Sequence, residues 1–235
     1  MQINADVLFT VAGFPVTNTI IATLITDIII FAVVIAVARA VSLKPGRFQT
    51  AVESVVDYFR STAYNVAGER ANFMYPWIAA FFIFIVISNI VALFPGFETL
   101  RFFSAGSGEH GVPLLRSATS DLNTTLALAV VSVFATHYLS IKYTGFKSYL
   151  SRFFSFKMFP IFLFVGMLEI VNELAKFVSF SFRLFGNIFA GEIVLGTTYF
   201  LFPFLALELL VAVVQALVFA MLTLSFMSVF TDKSH

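Results

Sequence analysis

The sequence predicts an all-α integral membrane protein with five membrane-embedded helices and one amphipathic surface helix. Hydrophobic residues make up 60% of the 235 residues and charged residues 11%, whereas soluble domains average about 45–50% and about 25%. Apolar runs recur along the whole chain, so most of it must lie in lipid and no soluble domain of ordinary size fits beside them. We therefore expect a single membrane domain over residues 1–235.

The first two predicted helices differ in kind. Residues 20–41 form an apolar run long enough to cross a bilayer, and no Lys or Arg precedes Arg39. Because a cleavable signal peptide begins with basic residues, we expect this run to remain as a membrane helix. Residues 48–67 have an apolar and a charged side at helical spacing, which is typical of a helix on the membrane surface. The apolar side consists of Val52, Val55, Val56 and Phe59, and the charged side of Glu53, Asp57 and Arg60.

Four further segments are apolar enough to enter the membrane. They cover residues 76–94, 122–141, 159–197 and 203–230. Pro95 and Gly96 end the first of them, and the Gly- and Ser-containing residues 98–116 are predicted to form a loop. A short turn before Pro203 separates the last two segments, which we expect to form a long tilted hairpin.

Composition excludes several kinds of site. The chain has no cysteine, which excludes disulfides and thiolate metal sites. His110, His137 and His235 are scattered without the spacing of metal ligands. We therefore expect no metal, no cofactor and no nucleic-acid partner, and we interpret His137, near the end of an apolar segment, as structural.

Basic residues outside the apolar segments predict the orientation of the chain. Ten of the Lys and Arg residues lie within 39–75, within 142–157 or in the C-terminal tail, whereas the opposite segments hold Arg101 and Arg116. Because basic residues accumulate on the cytoplasmic side, the N-terminus is expected outside and the C-terminus in the cytoplasm. Five crossings agree with that parity.

The segment 159–197 is too long to stand upright in a bilayer. As a helix it would measure about 58 Å, whereas the hydrocarbon core is about 30 Å thick. It must tilt, bend or break, and Gly186, Gly191 and Gly196 are possible bending points. The polar residues along it indicate a surface built for contact within the membrane, and a purely structural two-helix hairpin is the alternative.

Arg183 lies in the middle of this segment, where an arginine costs roughly 2.5–3.5 kcal/mol to insert. Such residues usually face a bundle interior or a wet cavity and mark an ion pathway, although snorkelling or a structural ion pair is an alternative. At 100° per residue, Arg183 shares one side of the helix with Ser179, Gly186, Asn187 and Ala190. This side is otherwise small, which lets another helix approach closely.

The last two segments place further polar residues in register. Glu208 and Gln215 are seven residues apart and therefore share a face. In an antiparallel hairpin, the two residue numbers of each facing pair add up to nearly the same sum. Arg183 with Gln215 and Glu192 with Glu208 have nearly equal sums, so both pairs are expected to face each other. Two buried carboxylates placed close together are not easily ionised at once, so one of them can relay a proton.

Five stretches of the sequence resemble subunit a of F-type ATP synthases, in family order from about residue 80 to the end. The most specific is KFVSFSFRLFGNIFAGE over residues 176–192, followed by QALVF from Gln215 and by Leu222-Thr223. The others are SNIVALFPG from Ser88 and TSDLNTTL from Thr119. The form is similar to bacterial and chloroplast members, because animal mitochondrial ones tend to have His where Glu192 stands. Some bacterial members have His at the position of Glu208, so the relay here would use two carboxylates.

The resemblance implies a non-catalytic stator beside a rotating ring of c subunits, in a membrane that is expected to be the bacterial inner membrane. Other expected partners are the peripheral-stalk b subunits, the remaining ATP synthase subunits and the lipid bilayer. Protons would enter by one half-channel, neutralise a rotor carboxylate and leave by the other. Arg183 would favour the ionised rotor carboxylate and block direct proton transfer between the two half-channels.

Resemblance and register together suggest residues for each route. The outer-route candidates are Glu192, Glu208, Gln215, Asp121 and Asn123. The inner-route candidates are Asn187, Ser179, Glu169 and Glu173. Two alternatives stay open, because Asp121 could simply cap its helix and Glu173 with Lys176 could be only a local ion pair.

Two other classes of function are weighed against this one. A self-contained proton-coupled transporter or channel could also contain intramembrane Glu and Arg, but the chain shows no internal repeat of the kind many transporters have. A passive assembly scaffold would not need charges in register within lipid. A channel would conduct ions unaided, whereas a stator needs its ring.

Overall fold

Seven α-helices are present in the residues that the structure describes. The structure is a computed structural model that describes residues 7–11, 14–41, 46–93, 101–102, 112–113, 118–153, 161–197 and 201–232. The helices are α1 Asn18–Ala40, α2 Arg47–Ala67, α3 Ala71–Ala92, α4 Leu122–Thr144, α5 Phe146–Phe153, α6 Ile161–Thr197 and α7 Leu201–Thr231. The fold class is thus the predicted all-α membrane class.

Four helical stretches of the described residues are long and apolar enough to cross a bilayer. They are Asn18–Arg39, Arg47–Ala92, Leu122–Thr144 and Phe202–Thr231. The predicted membrane-embedded segment 159–197 corresponds to α6, which has 37 residues and is not among these four stretches. At 1.5 Å per residue α6 is about 55 Å long. It continues without a break through Gly186, Gly191 and Gly196.

The helix α2 has the predicted amphipathic pattern. Its buried side chains include Phe59, Ala63 and Ala67, whereas Glu53 and Asp57 are exposed. The helix packs against α3 and α7. Gly68 follows it with φ +59°, a region that favours glycine, and a 3₁₀ turn over Gly68–Arg70 leads into α3.

The core lies where α3, α4 and α7 meet. The most extensive helix contact is between α3 and α7, and α4 packs against both α6 and α7. Small residues recur in the buried clusters and let the helix backbones approach closely, which is how helices associate in lipid. These residues are Ala71, Ala79, Ala129, Ala135, Ala216 and Ala220.

Polar side chains also join α4 to α7. Ser132 and Thr223 share a hydrogen bond of 2.9 Å, and the Ser140 hydroxyl donates to the Phe230 carbonyl oxygen at 2.7 Å. Hydrogen bonds of this kind average about 0.6 kcal/mol in membrane proteins. They fix the position of α7 along α4 more than they add stability.

The end of α7 is held at the junction between α2 and α3. Nη1 of Arg70 donates to Oγ1 of Thr231 at 3.3 Å, and the Ser228 hydroxyl donates to the Val66 carbonyl oxygen at 3.2 Å. The last helix therefore closes the bundle by contacting residues more than 150 positions earlier in the chain.

Some elements differ from the predicted ranges. The helix α3 begins at Ala71, before Pro76. Ala71 and Met74 are fully buried, and their packing against other helices stabilises this first turn. The basic segment 142–157 contains α5.

Two short antiparallel pairings were not predicted: β1 Val7–Val11 with β2 Phe14–Thr17, and β3 Arg101–Phe102 with β4 Val112–Pro113. The second pairing lies in the loop predicted over 98–116, most of which is outside the described residues.

Candidate functional site

A polar stripe lies exposed along one side of α6. It consists of Ser179, Arg183, Asn187 and Ala190, which we call the arginine stripe. The members are three or four residues apart, so one helix face presents all of them. An adjacent side, about 100° around the helix, is apolar and buried, and it includes Phe180, Leu184 and Ile188. The side facing the bundle therefore anchors α6, and the arginine stripe is left open.

The guanidinium of Arg183 is on the outside of the bundle. Its Nη2 donates to the Ser179 hydroxyl at 3.4 Å, one turn away on the same stripe. The salt bridges found within the described residues involve Glu173, and none involves Arg183. A structural ion pair for this arginine is therefore not seen in the described part of the chain.

One turn beyond Arg183, a hydrogen bond connects the two last helices. Nδ2 of Asn187 donates to Oε1 of Gln215 at 2.8 Å, and Gln215 is 6% exposed. The predicted facing of Arg183 and Gln215 is thus displaced by one turn. In a helix, side chains lean towards the N-terminus of their own helix. In an antiparallel hairpin, two side chains that meet therefore belong to residues slightly later in both helices than the two residues whose backbones face each other. The sum of their residue numbers is larger for that reason.

Glu208 is the buried acid of α7, and it lies against the backbone of α6. It is 8% exposed, and a Cβ added to Gly191 would overlap its carboxyl group. A glycine at this position is what lets the carboxyl group approach. Gly191 directly precedes Glu192, whose side chain lies outside the described residues, so the pairing of Glu192 with Glu208 stays a prediction.

Asp121 lies at the start of α4 and binds two groups. Its Oδ1 accepts a hydrogen bond from the backbone N–H of Asn123 at 2.9 Å, which is an N-cap. Its Oδ2 accepts a hydrogen bond from the Thr19 hydroxyl at 2.9 Å, which ties α4 to the start of α1. The capping alternative is therefore present in the structure, while the side chain of Asn123 is exposed.

A second buried polar pair lies next to Asp121. The Thr119 hydroxyl donates to Oδ1 of Asn89 at 2.6 Å, and both residues are nearly inaccessible. Nδ2 of Asn89 has no hydrogen-bond partner within the described residues. The 3₁₀ turn Ala118–Ser120 contacts α6, so this polar region adjoins the helix that bears Arg183. Sequence reasoning did not single out Asn89 as a site residue.

The N-terminal half of α6 holds an ion pair. Nζ of Lys176 donates to Oε1 of Glu173 at 2.6 Å, which is the local pair considered from the sequence. The same ammonium lies 4.6 Å from the ring centroids of both Phe226 and Phe230 on α7. This cation–π arrangement holds Lys176 in place. Glu169, one turn before Glu173, is half-buried.

Sequence reasoning did not expect His137 to join this ion pair. Its Nε2 lies 3.6 Å from Oε2 of Glu173, and its Nδ1 lies 3.2 Å from the Tyr149 hydroxyl. The sequence signal was an imidazole near the basic end of an apolar helix, but nothing in the spacing shows which residues of other helices it meets. Within the described ranges, no three His, Asp or Glu side chains converge to hold a metal ion.

Comparison with known proteins shows the family of this chain. Residues 19–228 match the family model for the ATP synthase A chain. The chain is 33% identical over 224 residues to "ATP synthase subunit a, sodium ion specific" of Propionigenium modestum, covering 91% of this chain and 74% of that protein. It is 30% identical over 226 residues to ATP synthase subunit a of Trichlorobacter lovleyi, covering 93% and 89%, and 29% identical over 231 residues to that of Moorella thermoacetica, covering 95% and 94%. The chain therefore belongs to the ATP synthase A chain family, the membrane-embedded a subunits of F-type ATP synthases.

Proposed function

We propose that this subunit is the proton-translocating stator of its ATP synthase and provides two half-channels against the c-ring. The observation that supports this most is the exposed guanidinium of Arg183 on the arginine stripe. An arginine within the membrane needs a partner or a wet cavity. A passing rotor carboxylate would supply that partner, and the small residues of the stripe would let the ring approach.

The outer route begins, in this proposal, beside Asp121 and Asn123 and reaches Gln215 through Glu192 and Glu208. Three contacts support it: Glu208 lies against Gly191, Gln215 accepts a hydrogen bond from Asn187, and the turn before Asp121 contacts α6. Polar and ionisable groups within the membrane are costly, and those that occur there commonly mark ion pathways.

The inner route runs from Arg183 along the same helix. Its proposed members are Asn187, Ser179, Glu169 and Glu173. Ser179 and Asn187 are both exposed on the arginine stripe, and Glu173 lies two turns closer to the N-terminal end of α6. Placing Arg183 between the routes prevents a proton from passing directly from one to the other. Each elementary charge that crosses 100 mV releases about 2.3 kcal/mol, so such a leak would waste the driving force.

The partners follow from this role. The c-ring would cover the arginine stripe, the peripheral-stalk b subunits would join the stator, and lipid would cover the remaining apolar surface. The whole chain, residues 1–235, would act as one membrane domain without catalytic residues or cofactors. We place it in the bacterial inner membrane, with the N-terminus outside and the C-terminus in the cytoplasm.

The decisive experiment replaces Arg183 in the complete ATP synthase, reconstituted into vesicles. Arg183→Ala should reduce ion-driven ATP synthesis and ATP-driven pumping to background while allowing passive ion flow. Arg183→Lys should not restore full coupling, because an ammonium lacks the forked donors and delocalised charge of the guanidinium. Proton and sodium flux are both measured, since one relative is named sodium ion specific.

Two features of the design keep the result interpretable. Subunit composition of each variant complex is checked, so that lost assembly is not mistaken for lost coupling. Exposed Phe182, the neighbour of Arg183, gives a matched control, and Phe182→Leu should keep coupled synthesis. Near-normal synthesis in a correctly assembled Arg183→Ala complex would refute the proposal.

The second candidate is a self-contained proton-coupled transporter or channel. It is favoured only by the presence of buried polar groups inside a single chain, such as Glu208 and Gln215. The open position of Arg183 on the outside of the bundle argues against it, because a channel within one chain would enclose its key cation.

A further inference from the structure

Four polar side chains form a continuous series across three helices near the inner end of the bundle. From α5, the Tyr149 hydroxyl lies 3.2 Å from Nδ1 of His137 on α4. Nε2 of His137 lies 3.6 Å from Oε2 of Glu173 on α6, and Oε1 of Glu173 accepts a hydrogen bond from Lys176 at 2.6 Å. Each nitrogen of the imidazole thus faces a different proton-exchanging group.

This geometry suits proton exchange as well as a structural role. An imidazole can accept a proton on one ring nitrogen and release one from the other, so it can pass protons between groups on its two sides. Glu173 is already held by Lys176, whose own position is fixed over Phe226 and Phe230. The ion pair therefore stands without His137, and the second carboxylate oxygen of Glu173 is left to face the imidazole.

The series also connects the proposed inner route to the segment that is expected on the cytoplasmic side. Tyr149 belongs to the basic segment 142–157, which is expected on the cytoplasmic side. Glu173 is a proposed member of the inner route. The side chains of His137 and Glu173 are 22% and 15% exposed, so they are mostly buried but still accessible to water.

We propose that Glu173, His137 and Tyr149 form a proton relay at the inner mouth of the subunit. Glu173 receives a proton on its carboxylate, and Nε2 of His137 then accepts that proton. The resulting imidazolium releases the proton on Nδ1 to the Tyr149 oxygen, which passes its own proton to water. The direction reverses during pumping. This inference rests on the proposed function and names the cytoplasmic end of that same inner route.

The groups that surround His137 are few. In the described part of the chain, α6 contributes Glu173 and Lys176, α5 contributes Tyr149, and α7 contributes the ring of Phe230, which meets the imidazole edge to face at 5.6 Å. Among these described residues, the proton-exchanging groups that face the imidazole are therefore Glu173 and Tyr149, and the fixed cation near it is Lys176.

The experiment uses the whole complex in inside-out vesicles, whose cytoplasmic side faces the medium. Protons for ATP-driven pumping then enter at the proposed relay, and they become scarce as the medium becomes alkaline. His137→Gln keeps a donor and an acceptor but cannot exchange protons. We expect pumping by this variant to match the wild type at about pH 6 and to fall several-fold at about pH 8.5, where an imidazole relay matters most. Added imidazole should restore most of the loss.

Two companion variants make the test specific. Tyr149→Phe should give a smaller loss with the same pH dependence, and it serves as the main test if His137→Gln does not assemble. Tyr138→Phe removes the hydroxyl of the residue next to His137, but that side chain is 55% exposed and leaves α4 about 100° away from the imidazole. It should pump normally at every pH.

Pumping that is normal at all pH values in an assembled His137→Gln complex would overturn the relay. A loss that is equal at all pH values and not restored by imidazole would also overturn it, because that pattern indicates a structural role. Arg183→Ala is measured in the same vesicles. If it abolishes pumping while His137→Gln does not alter it, the relay alone fails; if Arg183→Ala still pumps, the proposed function fails.

Discussion

Gly191 determines where the acid of the last helix can lie. The Glu208 carboxyl group occupies the space that any larger side chain at position 191 would fill. Gly186, five residues earlier on the same helix, has open space in that direction. The two glycines therefore have different reasons to be present, and they can be compared directly.

We expect Gly191→Ala to destabilise the contact between α6 and α7. The overlapping atoms are the end of a flexible side chain, but Glu208 is buried, so its carboxyl group must lose its present packing to make room. We therefore expect a cost at the lower end of the range of about 1–3 kcal/mol for overpacking, which is at least as large as the gain of up to about 1 kcal/mol that alanine offers over glycine in a helix. The midpoint of thermal unfolding in detergent, followed by circular dichroism, should fall. Gly186→Ala should leave that midpoint unchanged or raise it.

A double-mutant cycle then tests the cause. In a Glu208→Ala background the overlap is removed, so Gly191→Ala should lose most of its cost. An equal cost in both backgrounds would contradict the assigned contact.

Single residues show how far sequence reasoning reaches at this site. Arg183, Glu208 and Gln215 stand out because a polar residue in an apolar run is expensive and therefore noticeable. His137 did not stand out, because its two partners belong to other helices and no spacing rule relates residues of α4 to those of α5 and α6. Its role depends on how the helices are rotated, which periodicity does not reveal when nearly all residues are apolar.

At the scale of elements, the start of α4 combines two tasks in one carboxylate. Asp121 caps the helix and accepts a hydrogen bond from Thr19 on α1. The same carboxylate is a proposed member of the outer route. Substitutions can separate these tasks, because an amide can still cap a helix but cannot exchange a proton.

We expect Asp121→Asn to keep the stability of the subunit and to slow ion-driven ATP synthesis several-fold. Asp121→Ala should lose both, since replacing an N-cap by alanine costs typically about 1 kcal/mol. Thermal unfolding and ATP synthesis are measured for each variant. Thr19→Val is the matched control: it removes the hydrogen bond to α1, lowers stability and leaves the carboxylate and the synthesis rate in place. A normal synthesis rate in Asp121→Asn would restrict Asp121 to capping.

Most of the helical content could be predicted because lipid leaves few alternatives to it. A chain that crosses the bilayer must satisfy its backbone hydrogen bonds internally, so apolar runs become helices. The start of α3 was harder to predict from the sequence, because its first turn depends on the burial of Ala71 and Met74 by other helices. The two short strand pairings lie outside the apolar runs, where this constraint does not apply.

At the scale of the whole molecule, the described chain has an open side. Beside the arginine stripe, α6 and α7 expose large apolar side chains at exposed fractions of 48–64%. These are Leu174, Val178, Phe182, Leu207, Leu210 and Val214. Lipid chains can cover such residues, but they offer neither a hydrogen-bond acceptor nor a counter-charge to Arg183. The surface therefore suits a partner that is mostly apolar and presents a carboxylate.

The purified subunit should not conduct ions by itself. Reconstituted alone into vesicles, it should show proton and sodium flux no greater than protein-free vesicles. The reason is that each proposed half-channel ends at the open arginine stripe and does not by itself cross the membrane. Adding the c-ring and stalk should restore coupled flux. Unaided conduction, abolished by Glu208→Gln, would instead support the self-contained channel.

The contact between α3 and α7 has a consequence for biosynthesis. The most extensive helix contact joins α3 to α7, and Arg70 and Val66 bind residues at the end of α7. Helices leave the ribosome in order, so the buried side of α3 stays without its main partner until α7 has entered the membrane. We expect the subunit to reach its packed state only after α7 has been synthesised and inserted, and a nascent chain that stops before α7 to be open to membrane proteases.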